Sequence, residues 1–151
     1  MEGAIVGRCT HQGTTISIPI FYHTTFSEVY NEILEPQQRT ITFISDRHKG
    51  LIPAVTNTFP DSPHAYCLHH IKLNILEKYP ASLGSVFRNK IVQKFSECAY
   101  AATPEMYELK MAALVKEGGN IMRKFLKDLP KENFCNAFFK GKSSENFSFH
   151  C

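Results

Sequence analysis

What this sequence lacks narrows its class before any motif is considered. No apolar run approaches the roughly 20 residues a membrane-spanning helix needs, and no long apolar stretch follows a basic start. Neither a bilayer span nor a secretory leader is therefore expected, and the expected location is the nucleus or the cytoplasm. The five cysteines (Cys9, Cys67, Cys98, Cys135 and Cys151) are scattered, odd in number and never spaced as Cys-x-x-Cys. That argues against a disulfide scaffold and against a zinc ribbon, and leaves them as small thiols, buried or on the surface. A Gly-rich phosphate loop, a G-x-S-x-G elbow and an H-E-x-x-H helix are all missing, so kinase, hydrolase and metalloprotease chemistry has no residues to stand on.

What is present fits one ordered domain. The 151 residues are long enough to bury a core, and a hydrophobic content of 43% with 21% charged residues argues against wholesale disorder. The charge is unevenly placed. Up to Tyr66 there are four Lys/Arg against six Asp/Glu, a balance of −2; from Cys67 onward there are thirteen against eight, a balance of +5. A basic second half suits contact with a polyanion such as DNA, and suits equally a solvated lysine-rich helical surface.

The hydrophobic pattern changes period along the chain. The first fifteen residues carry little pattern, after which Ile16, Ile18 and Ile20 alternate as a short strand. Phe26, Val29, Tyr30, Ile33 and Leu34 have helical spacing that Pro36 ends. The run 41–45 is β-rich with no polar face, as in a strand covered on both sides. Beyond Asp46, a basic turn leads into a helix lined by Ala54, Val55 and Phe59, and His64 to Cys67 predicts another strand. A helix carrying Leu68, Ile71, Ile75 and Tyr79 follows. From Ser82 only helices are expected: a stripe of Phe87, Ile91, Phe95, Cys98 and Ala102, then a helix opened by Thr103-Pro104 and stopped by Gly118-Gly119. A further helix capped by Asn120 runs to Pro130, and a short aromatic segment holds Phe134, Phe138 and Phe139. The expected organisation is a single partial domain, with an α/β part over 14–80, a helical part over 82–139 and an irregular tail over 142–151.

Two places could carry chemistry. Asp46 falls at the C-terminal end of a buried strand, where ligands gather in open α/β sheets, and a carboxylate there suits Mg²⁺; it suits helix capping as well. Cys67 and His70 form a C-x-x-H pair, which is two zinc ligands where three or four are needed. A buried thiol with a histidine hydrogen-bonded into the core is the plainer expectation.

Residues 41–79 closely resemble the central block of Mutator-like (MULE) transposases and of their domesticated plant relatives, the far-red-response transcription factors. The resemblance is carried by Ser45-Asp46, Lys49-Gly50-Leu51, Phe59-Pro60, Cys67, His70 and Asn74 at matched spacing. It continues more weakly from Phe87 to Ala137-Phe138-Phe139, over about two-thirds of the chain. It implies an α/β fold: a partial ribonuclease-H-like sheet with parallel strands, followed by an all-helical insertion. It also implies DNA as partner, and Mg²⁺ or Mn²⁺ held in pairs by two aspartates and a glutamate for phosphodiester cleavage and joining. Asp46 matches the second of those acids, both as catalytic and as metal-binding residue, and Cys67 with His70 matches a family signature whose role is expected to be structural.

The departures from that pattern set the functional expectation. No Asp precedes Asp46, and Ser143-Ser144-Glu145-Asn146 only faintly echoes the context of the third acid. The implied picture is a transposase remnant or truncated gene product, inactive as it stands, with no stably bound metal. Left open are a domesticated interaction module and a nuclease completed by another chain, as a homo-oligomer or with full-length transposase. A missing central strand is further expected to bare one edge of the 41–45 strand.

Overall fold

The computed structural model describes residues 5–11, 14–20, 42–47 and 49–141, with backbone only for 5–11, 14–20 and Leu51. The helix expected over 26–34, Glu145 and the tail lie outside the described residues. The chain divides into two compact units, 1–67 with 140–151 and 68–139.

The first unit holds a four-stranded sheet of order β2-β1-β3-β4, from β1 (Ile5–His11), β2 (Thr14–Ile20), β3 (Thr42–Ser45) and β4 (His64–Tyr66). β3 and β4 are parallel neighbours in the register Phe43↔His64, Ile44↔Ala65 and Ser45↔Tyr66, joined through helix α1 (Leu51–Thr58), as the strand–helix–strand pattern predicts. β3 is buried at all four positions, which explains why it reads as an unbroken apolar run. Phe43 stacks on Phe59, ring centroids 4.9 Å apart, and so ties the end of α1 to the sheet.

Two expectations fail in this unit. The first fifteen residues are not patternless: β1 forms an antiparallel hairpin with β2 over seven pairs. Nor is β3 bare on the side away from β4, because β1 pairs with it antiparallel through Val6↔Ile44, Gly7↔Phe43 and Arg8↔Thr42. The physical reason is the cost of unpaired ladder groups: a neighbouring strand that can satisfy them will do so.

The second unit is helical: α2 (Leu68–Lys78), α3 (Ser85–Ala99) and α4 (Pro104–Leu126), with 3₁₀ turns at Ala81–Leu83 and Lys131–Asn133. Thr103 caps α4, its hydroxyl accepting from the Met106 N–H at 3.2 Å with Pro104 at the first helical position. The expected stop at Gly118-Gly119 takes the form of a break within α4, where Gly119 adopts φ 61° and ψ −148°. The Asn120 side chain accepts from Arg123 Nη1 at 3.1 Å. α3 ends at Ala99, so Ala102 falls beyond the helix and is exposed, against the expected stripe. Ile91, Phe95, Cys98, Leu114, Met122 and Phe134 form the core, with Phe95 stacked on Phe134 at 5.2 Å.

Candidate functional site

The functional geometry lies where β3 ends. Ser45 is fully buried, and its backbone carbonyl accepts from the Cys67 N–H at 2.7 Å, continuing the parallel ladder one step past β4. Its hydroxyl donates to the Asp46 carbonyl at 2.8 Å and lies 2.7 Å from His64 Nε2. One hydroxyl carries one proton, so with that proton on the Asp46 carbonyl the histidine Nε2 carries one too and donates to Ser45. Burial lowers the His64 pKa from 6.5 to about 4, which keeps the ring neutral near neutral pH. The backbone at Asp46 is thus anchored through Ser45 on both sides, and Asp46 leaves the sheet at the C-terminal end of the parallel pair. Next to it, the Arg47 guanidinium lies 5.9 Å from the Tyr66 ring centre.

The His64 shift has a consequence for stability. Between pH 6.5 and about 4 the unfolded chain takes up a proton that the folded chain refuses, so stability falls as pH drops through that window and is unaffected above it. Allowing for the part of the ring that solvent reaches, the loss is on the order of 2 kcal/mol. Urea midpoints measured at pH 7 and pH 4.5 should differ more for the wild type than for His64→Gln, whose amide can still donate to Ser45 but does not titrate. Equal differences would mean that another group governs the acid limb.

The residues singled out from the sequence are only partly brought together. Cys67 adjoins the end of β3, 1% exposed, but it is disulfide-bonded. It is therefore not the small thiol expected. His70 is exposed in the first turn of α2, its ring edge-on to His69 at 5.7 Å, and is not a core histidine. Reading the sequence missed the Ser45–His64 contact and the Arg47–Tyr66 contact. The only signal for the first was a histidine opening the strand that should pair with 41–45.

Among the described residues no group of three or more His, Cys, Asp or Glu side chains is placed to hold a metal ion. A two-metal centre needs several oxygen ligands per ion, and Asp46 alone does not fit it. The buried thiols in the helical unit offer no alternative chemistry. Burial pushes Cys98 up to about 12 and also raises its neighbour Cys135, whose Sγ donates to the Cys98 carbonyl at 3.3 Å, so neither is a thiolate near neutral pH.

The model of the MULE transposase domain matches residues 21–74, a segment that takes in β3, α1, β4 and the start of α2. That segment is similar to a MULE transposase domain, which supports reading it as a Mutator-like transposase fragment. Asp46, Cys67, His70 and Asn74 all fall inside the matched segment. Transposases of this family are in general metal-dependent, DDE-type enzymes that act on DNA. No curated protein and no solved structure matches the chain. No described helix is long and apolar enough to cross a membrane.

Proposed function

We propose that this Mutator-like fragment keeps Asp46 as the second of the family's three metal-binding acids and that the 151-residue chain neither cuts nor joins DNA. The observation that carries the reading is the position of Asp46, directly after β3 at the C-terminal end of two parallel strands, its backbone anchored by Ser45 and the Cys67 N–H. A sheet in which an antiparallel hairpin adjoins a parallel pair supports the ribonuclease-H-like reading, as does the all-helical unit that follows it. DNA as partner and a nuclear location belong to the same reading. In-line phosphodiester attack needs charge stabilisation on both the entering and the leaving oxygen, and one carboxylate cannot hold two ions in that geometry.

The test is direct. Supercoiled plasmid incubated with the purified chain and Mg²⁺ or Mn²⁺ should stay unnicked, and Mn²⁺ titration should show at most one weakly held ion, lost in Asp46→Asn. Nicking that disappears in Asp46→Asn would show that other groups complete the centre and would restore the enzyme reading. Manganese binding unchanged by that substitution would remove Asp46 from the metal-binding role.

A further inference from the structure

We propose that the exposed basic face of α4 beyond its break at Gly119, formed by Arg123, Lys124 and Lys127 with Asn120, is a contact surface for the phosphate backbone of duplex DNA. The four residues fall at positions i, i+3, i+4 and i+7, one face of a helix, and all four are exposed. Met122 is fully buried and Ile121, Phe125 and Leu126 are partly so, which makes this a basic amphipathic segment packed by its other side.

Elsewhere in the helical unit, four of the eight Lys/Arg side chains are in ion pairs with carboxylates. Glu117 pairs with Lys90 and Lys94, Glu97 with Lys110, and Glu108 with Lys131. Among the described residues no ion pair takes up Arg123, Lys124 or Lys127; Arg123 donates to the neutral Asn120, which steadies its guanidinium at the surface. Asp128, four residues on from Lys124, borders this face, so one carboxylate stands beside the three cations. From Arg123 to Lys127 a helix rises about 6 Å, close to the axial span of about three successive phosphates on one DNA strand. Three cations on that length match the polyanion in spacing as well as sign. The bland reading is that cations near a helix C-terminus merely complement its dipole, and it makes no demand for DNA.

The inference takes DNA as ligand from the reading above but concerns a different place in the molecule, so the two can fail separately: Asp46 is read by nicking and manganese binding. The experiment is fluorescence anisotropy of a labelled duplex against the full chain across a salt series. Arg123→Gln/Lys124→Gln/Lys127→Gln should weaken binding tenfold or more at low salt, and should make log K against log salt shallower by about 2–3. Lys72→Gln/Lys78→Gln/Lys140→Gln, which removes the same formal charge elsewhere, should change the slope by less than 1. Arg123→Lys/Lys124→Arg/Lys127→Arg, which keeps the charge, should bind as the wild type does. Equal losses in the two Gln triples would mean diffuse attraction and would overturn the assignment. So would absence of wild-type DNA binding at low salt, including the case where the chain binds anionic phospholipid vesicles instead.

Discussion

Phe43→Ala should lower the stability of the sheet unit by about 3–5 kcal/mol, the usual cost of truncating a fully buried phenylalanine. Phe43 is 1% exposed, lies in the middle of the register with β1, and stacks on Phe59 at the end of α1. Truncation leaves a cavity between sheet and helix and removes the contact that seats α1 against β3. Since whole domains are stable by only about 5–15 kcal/mol, the loss is a large share of the total. Urea denaturation followed by circular dichroism measures it, and Phe43→Leu, which refills much of the volume, should recover more than half. A change below about 1 kcal/mol would mean that β3 and α1 are not packed as described. Because Asp46 begins three residues on from Phe43, the same variant should also abolish any Asp46-dependent manganese binding.

Gly118→Ala should destabilise the helical unit, although an alanine normally favours a helix over glycine by about 1 kcal/mol. A Cβ at Gly118 would come within 2.6 Å of Tyr79 Oη and 2.7 Å of Met122 Cβ, closer than such contacts occur. Tyr79 cannot simply swing aside: it is 3% exposed, and its hydroxyl donates to the Gly118 carbonyl at 2.8 Å. Overpacking at about 1–3 kcal/mol plus a lost buried hydrogen bond at about 1 kcal/mol outweighs the helix gain, for a net loss of about 2 kcal/mol. A double-mutant cycle decides the cause. Tyr79→Phe removes the clashing oxygen, so Gly118→Ala should cost at least 1 kcal/mol less in that background. Additive costs would locate the strain at Met122 instead.

The parts of the fold legible in the sequence are those set by near neighbours. The stretch from β3 through α2 reads correctly because its signals are local: an unbroken apolar run, glycine and proline at the turns, and a 3.6-residue period beyond them. Thr103-Pro104 announces the start of α4 for the same reason, since a capping hydroxyl three residues from its acceptor N–H is a local arrangement. The C-terminal position of Asp46 on its strand, which underlies the candidate site, was visible on these terms alone.

β1 was not visible, because a strand is stabilised by its partners as much as by its own pattern, and the β1 partners are β2 and β3. The Ser45–His64 contact joins residues 19 apart, the Tyr79–Gly118 bond 39 apart, and the Cys135–Cys98 bond 37 apart. No periodicity records such pairs. The sequence by itself determined the kinds of element and their order, the solitary aspartate at a strand end and the excess of positive charge in the second half. Tertiary structure decided that β1 lies against β3, that a neutral His64 backs the Asp46 turn, and that Gly118 has no room for a side chain. It also decided which cations are cancelled by carboxylates and which stay exposed on α4, because charge pairing between helices depends on how their faces pack and not on the spacing along either one.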